Sequence, residues 1–294
     1  MHWLLGWSWT GASLFGVLIA ATDPVSVLAA FKEMKVQPRL GLLVESESLL
    51  NDGAAAVGFA ILVAVASGAG ATPVGIASSF VLIVAGGIGI GAAVAAVLLL
   101  IAGRTEDHLV EITLTTIAAY GSFLIAEKLG MSGVLATLTA GLLVGNVGWK
   151  GAISANARSH VLAFWGYAAF LANSIVFILL GGHEAHQPLS IFAASSAIAV
   201  VFVLLGRVLA IYPLCFLLYP TSLKVDLRYQ HVLVWGGLRG SLALALALAL
   251  PQDIAERGAI IVTAFAVVAF SIFVQGLTMQ WLIKKMGLTA RESA

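Results

Sequence analysis

PVGIASSFVLIVAGGIGIGAAVAAVLLLI, residues 73–101, runs for 29 residues without a charged side chain. A helix needs about 20 mostly apolar residues to cross the hydrocarbon core of a bilayer, so this stretch is long enough to span one. A membrane β-strand would instead alternate apolar and polar residues over segments of about ten, and this run does not alternate. The fold class read from it is an all-α, polytopic membrane protein. The composition agrees: 61% of the 294 residues are hydrophobic and 10% charged, with a mean hydropathy of +1.04. Soluble domains carry about 25% charged residues, so a water-facing surface cannot be dressed here. A balance of 15 Lys and Arg against 14 Asp and Glu, with no basic run, excludes a nucleic-acid partner. The one cysteine, Cys215, excludes an internal disulfide and a thiolate metal cluster, and reads as a small core residue.

Apolar stretches separated by polar, Gly or Pro breaks number nine. They are about Trp7 to Phe31, Leu40 to Ser67, Pro73 to Ile101, Val110 to Leu129, Ser132 to Val147, Val161 to Leu180, Leu189 to Leu218, Tyr229 to Leu250 and Ala259 to Ile283. Loop charge tests the count, because Lys and Arg accumulate on the cytoplasmic side. With nine spans, Lys32, Lys35, Arg39, Arg104, Lys150, Arg158, Lys224, Arg228, Lys284, Lys285 and Arg291 share one side, while only Lys128 and Arg257 face the other. The expectation is a cytoplasmic C-terminus and a Met1 outside. The opening Met-His-Trp-Leu-Leu lacks the basic start and cleavage site of a signal peptide.

An ionisable group at the bilayer centre costs upward of about 2.5 kcal/mol, so such residues usually face a cavity and mark a pathway. Six are candidates: Asp23, Glu45, Glu47, Asp52, Arg207 and Arg239. In Ala21-Thr22-Asp23-Pro24, the proline removes a donor and disfavours helix at Asp23, so a break is expected there. Freed carbonyls and the Thr22 hydroxyl are hard oxygen donors, of the kind from which transporters build cation sites. In Glu45-Ser46-Glu47-Ser48-Leu49-Leu50-Asn51-Asp52-Gly53, Glu47 and Asn51 lie four apart, as do Ser48 and Asp52. Each pair stacks along the helix, and a hydroxyl one turn from a carboxylate suits a small hard cation. Trp235-Gly236-Gly237-Leu238-Arg239-Gly240 carries three glycines around a cation and is expected to be a second broken helix, while Arg207 is expected to pair with an acid. Two other motifs are set aside. Gly87-Ile88-Gly89-Ile90-Gly91 lies inside a span and reads as tight helix packing rather than a nucleotide loop. His183-Glu184-Ala185-His186 misses the two-turn zinc spacing and reads as a solvated extracellular loop.

Together, Ala21-Thr22-Asp23-Pro24-Val25, Glu47-Ser48-Leu49-Leu50-Asn51-Asp52-Gly53, Ser132-Gly133-Val134-Leu135, Gly141-Leu142-Leu143-Val144-Gly145-Asn146 and Gly236-Gly237-Leu238-Arg239-Gly240 closely resemble the sodium/proton exchanger family, in the branch of cation:proton antiporters whose ion site carries Asn-Asp. The resemblance runs nearly end to end. It implies an inverted-repeat fold with two broken crossing helices, a core domain and a dimerisation domain. Asp52 would exchange proton and sodium, with Ser48 and Thr22 completing the cation shell. Asn51, Glu47, Asp23, Arg207 and Arg239 would support the site. Residues 1–70 and 219–294 would be core helices and 71–218 mainly dimerisation and scaffold helices of a single domain, 1–294. The resemblance further implies a homodimer in a cell (inner) membrane, a part in pH homeostasis, and no cofactor beyond the transported ions. The family usually has roughly four helices upstream of Thr-Asp-Pro, so a chain lacking those N-terminal helices is expected.

The reaction expected is electroneutral exchange of one sodium for one proton, since Asn51 puts no second carboxylate beside Asp52. Lithium and potassium are competing cations. One alternative is a shortened exchanger that does not transport alone. A remote one is an intramembrane aspartyl protease using Asp23 and Asp52, against which stand Pro24 and the absence of Gly-x-Gly-Asp.

Overall fold

A computed structural model of the protein describes residues 1–66, 72–102, 107–148, 153–184 and 193–289, and its regular elements are all helical. In chain order they are α1 (His2–Leu5), α2 (Trp9–Leu18), α3 (Val25–Glu33), α4 (Pro38–Ala66), α5 (Pro73–Ala102), α6 (His108–Lys128), α7 (Gly133–Asn146), α8 (Ala155–Glu184), α9 (Ala193–Leu217), α10 (Leu227–Trp235), α11 (Ser241–Leu248), α12 (Arg257–Phe270), a π-helical turn (Ser271–Gly276) and α13 (Leu277–Lys285). Local sequence sets the starts. Ser8 accepts from the Gly11 amide at 3.0 Å to cap α2, and Ser132 accepts from Leu135 at 3.2 Å to cap α7. Pro38 opens α4 at the position where a missing N–H costs nothing.

Six helices among the described residues are long and apolar enough to cross a membrane: Pro38–Ala66, Ala77–Ala102, His108–Lys128, Ala157–Leu179, Ala193–Leu217 and Arg257–Lys285. The other three stretches expected to span have a different form. The first is the pair α2 and α3, the fifth is the 14-residue α7, and the eighth is the pair α10 and α11. Nine crossings therefore depend on counting two interrupted helices and one short one. Arg104, Lys150 and Arg291 of the charge count lie outside the described residues. His183 and Glu184 still belong to α8 rather than to the expected loop, because the helix runs to Glu184; Ala185 and His186 lie outside the described residues.

The chain divides into two compact units, Met1–Ala55 with Val176–Ala294, and Ala56–Ile175. In the first, Val27 and Phe31 of α3, Leu40 and Val44 of α4, Ile211 and Cys215 of α9, Val232 of α10, Leu238, and Met279 and Ile283 of α13 form one buried apolar cluster. Cys215 is thus a core residue, as its surroundings in sequence suggest. This packing positions the interrupted helices.

The second unit is held by small residues, since helices in lipid gain little from hydrophobicity and associate by close packing. Gly87 and Gly91 of α5 lie against the backbone of Ser132 and Ala136, leaving no room for a methyl group, whereas Gly89 faces open space. The Ser132 amide donates to the Ile83 carbonyl at 3.3 Å, and the Thr137 hydroxyl to the Ala119 carbonyl at 3.0 Å. Glu111 is buried in α6 and accepts from the Ser154 amide at 3.2 Å, placing an acid at the start of α8, where the helix dipole favours it.

Candidate ion-binding site

Two helices of the first unit stop in mid-course. α2 ends at Leu18 and α3 begins at Val25, with Pro24 as its cap, so residues 19–24 leave the helix. Pro24 has no amide to continue the ladder and disfavours helical geometry at Asp23. α10 ends at Trp235 and α11 begins at Ser241, leaving Gly236 to Gly240 between them. The second broken helix expected at the glycine-rich segment is therefore present.

The two interruptions touch. The Asp23 amide donates to the Leu238 carbonyl at 2.8 Å. Arg239 Nη1 donates to the Ala20 carbonyl at 2.7 Å and to Ala21 at 3.2 Å. A Cβ on Gly240 would lie 2.8 Å from Asp23 Cγ, so close approach, not backbone conformation, requires glycine there. Backbone groups freed inside a membrane protein need partners, and at each break a buried side chain supplies one. Arg239 caps the end of the first half-helix. Gln275, buried on the π-helical turn, donates to the Trp235 carbonyl at 2.9 Å and does the same for the second.

The polar face of α4 meets the first break at Thr22. Its amide donates to Asp52 Oδ1 at 3.1 Å, its carbonyl accepts from the buried Ser48 hydroxyl, and its hydroxyl accepts from Asn51 Nδ2 at 3.4 Å. Three residues of one helix face thus hold one residue of an unwound segment. Asp52 is half-buried, and its second oxygen accepts no hydrogen bond from any described residue. The carboxylate of Asp52, the hydroxyl of Ser48 and the carbonyl of Thr22 form a set of hard oxygen donors suited to a small cation. Asp23 stands next to them, with its carboxylate accepting from the Val25 amide at 3.0 Å.

Glu47 joins this cluster to α9. Arg207 forms an ion pair with Glu47 and also donates to the Leu233 carbonyl, while Asn51 Nδ2 lies 3.3 Å from Glu47 Oε1. The expected acid partner of Arg207 is therefore Glu47. Arg207 lies against Gly237, where no side chain would fit. Glu47, Asn51, Arg207 and Arg239 line a cavity of about 440 Å³. Glu45 is exposed and joins none of these contacts. Gln275 is not among the residues singled out from the sequence; its signal was an amide inside the apolar stretch from Ala259 to Ile283, where the other amide, Gln280, lies near the basic end.

Comparison with known proteins agrees with this architecture. The family model described as "Sodium/hydrogen exchanger, transmembrane" matches residues 1–285. The low-affinity Na+/H+ antiporter NhaS1 of Synechocystis is 39% identical over 283 residues, which are 94% of this chain and 54% of that protein. The Na+/H+ antiporter ApNhaP of Aphanothece halophytica is 40% identical over 291 residues, 98% of this chain and 56% of that protein. The chain thus spans about half the length of these relatives. The structure of the sodium proton antiporter MjNhaP1 from Methanocaldococcus jannaschii superposes with a TM-score of 0.78 at 20% identity, covering 94% of this chain and 71% of that one, which establishes the fold. With a family match over nearly its whole length and the interrupted helices folded as described, the chain belongs to the sodium/hydrogen exchanger family.

Proposed function

We propose that this chain exchanges sodium, or another monovalent cation, for a proton at Asp52, with one cation replacing one proton. The observation that carries the proposal is the convergence of Asp52 and Ser48 of α4 on Thr22 in the broken helix. A carboxylate away from bulk water is costly unless its charge is neutralised. A proton or a cation can do that, and each displaces the other. Thr22 and Ser48 supply the oxygens that replace the cation's hydration shell. Asn51, Glu47 and Arg207 hold the helix face, and Arg239 and Asp23 hold the two breaks together. Because Asn51 is neutral, a single titrating charge serves each cycle.

The relatives support this reading through their names, which are those of Na+/H+ antiporters. The same proposal places the chain in a cell membrane with its C-terminus on the cytoplasmic side, and assigns it the homodimeric assembly expected of the family. Residues 1–70 and 219–294 then serve as core and 71–218 mainly as scaffold. Family membership leaves the aspartyl protease reading without support.

Everted or reconstituted vesicles carrying the chain test the proposal. Sodium should dissipate an imposed pH gradient with wild type and fail to do so with Asp52→Asn. Equal sodium-driven proton movement in both would remove Asp52 from the reaction. A silent wild type would favour the second reading, a piece that transports only as part of a longer chain.

A further inference from the structure

A second cavity lies away from the ion-binding cluster and shares none of its lining residues. It has a volume of about 1310 Å³ and is built where three distant segments meet: the start of α4, the turn between α9 and α10, and the segment after α13. Its walls are fixed by hydrogen bonds. Arg39 Nη2 donates to the Lys224 carbonyl at 2.8 Å, the Tyr229 hydroxyl donates to Gln37, and Gln230 Nε2 donates to the Val225 carbonyl at 2.9 Å.

Three cations line it, Arg39, Lys224 and Arg228, against the single acid Asp226. Among the described residues the side chains of Lys224 and Arg228 have neither an ion-pair nor a hydrogen-bond partner, and Asp226 does not cap its own helix. Lys224 and Arg228 are exposed at this cavity, where their combined field attracts an anion and disfavours sodium. Tyr229 and Tyr219 supply aromatic wall, and Phe216, 80% exposed, stands with Leu227 as apolar surface beside the charges. All three segments fall on the side where Lys and Arg accumulate in the sequence. On the orientation proposed above, on which this inference rests, that is the side of the anionic leaflet, and basic pockets between helices there receive lipid headgroups.

We propose that this cavity binds the phosphate headgroup of an anionic phospholipid from the cytoplasmic leaflet, with Lys224 and Arg228 as its charge partners and the apolar surface at Phe216 and Leu227 alongside the acyl chains. The chemistry shared with any other ligand is a phosphate anion; the apolar surface beside the cations assigns it to lipid rather than to a soluble phosphate. The site does not depend on ion exchange and stands if the exchange proposal fails.

Native mass spectrometry of the detergent-purified chain tests it, with dioleoylphosphatidylglycerol and dioleoylphosphatidylcholine titrated separately. The anionic lipid should bind on the order of tenfold more tightly. A juxtamembrane cation contributes roughly a fivefold effect, so Lys224→Gln should weaken it about fivefold and Lys224→Gln with Arg228→Gln about 25-fold. The charge-preserving pair Lys224→Arg with Arg228→Lys should restore binding, which separates charge from misfolding. Lys32→Gln with Lys285→Gln removes two charges from the same side but outside the cavity, and should change nothing. Equal binding of the two lipids, or an equal loss in the outside pair, overturns the site. Mole-for-mole displacement by glycerol 3-phosphate overturns its assignment to lipid.

Discussion

The Thr22 amide donates to the Asp52 carboxylate across 3.1 Å, so the unwound segment and the long helix α4 meet at the one carboxylate given the exchange role. Any ligand that replaces the charge of Asp52 also acts on the hydrogen bond that fixes the break. Asp52→Asn retains an oxygen acceptor for Thr22, whereas Asp52→Ala leaves the amide without one. An unsatisfied buried donor costs about 1–3 kcal/mol. Thermal unfolding in detergent should therefore place Asp52→Ala below Asp52→Asn. Equal midpoints would show that the Thr22 contact does not hold the break.

Arg207 and Glu47 form an ion pair inside the first unit, and they differ in exposure, at 6% and 24% for the side chains. Removing one partner of a buried pair costs about 3–5 kcal/mol because the other is stranded. The partial exposure of Glu47 puts this pair at or below the lower figure. Glu47→Gln and Arg207→Gln should each destabilise, and the double variant should lose less than the sum, with a coupling of about 1–3 kcal/mol. Strict additivity in unfolding measurements would mean that the two charges act independently.

Much of this was legible in the sequence because membrane burial makes each polar residue conspicuous. Pro24 after Asp23 signalled the first break, and the glycines around Arg239 the second. The four-residue spacing of Ser48 and Asp52 put both on the face that meets Thr22. What periodicity could not supply was the partner across space. Nothing near Gln275 in the chain shows that it satisfies the Trp235 carbonyl, and nothing near Glu111 points to Ser154, 43 residues on. Helix length was also only partly legible, since an interrupted helix and a continuous one have the same apolar composition. The cavity at Lys224 and Arg228 draws on three segments that only the fold brings together.

α5 contains its own control for the packing argument. A methyl on Gly91 would overlap the Ala136 backbone, while one on Gly89 meets nothing within 4 Å. Overpacking typically costs about 1–3 kcal/mol, and replacing an unconstrained helical glycine by alanine gains roughly 0.5–1 kcal/mol. Gly91→Ala should lower the unfolding midpoint and Gly89→Ala should leave it unchanged or raise it. Similar effects from the two would mean that the seam between α5 and α7 is not close-packed at Gly91.

Glu256 offers a pH test outside the spans. Its carboxylate, at the start of α12, accepts from the Ser8 amide at 2.8 Å and from the Ser8 hydroxyl at 3.1 Å, tying the beginning of the chain to the loop before α12. Its slight burial pushes the carboxyl upward, but the hydrogen bonds from Ser8 and from its own backbone outweigh that and hold it below the ordinary value of 4.5. A carboxylate lowered by folding adds stability that is fully present above its unfolded pKa and is lost as the pH falls through its folded one. Wild type should therefore be more stable than Glu256→Gln at pH 7, and the gap should close as the medium is acidified below 4.5. Ser8→Ala removes the hydroxyl donor and the cap of α2 but keeps the amide, so the part of its loss that varies with pH should be smaller than that of Glu256→Gln. A difference between wild type and Glu256→Gln that stays constant through the acid range would mean that the charge on Glu256 does not stabilise this contact.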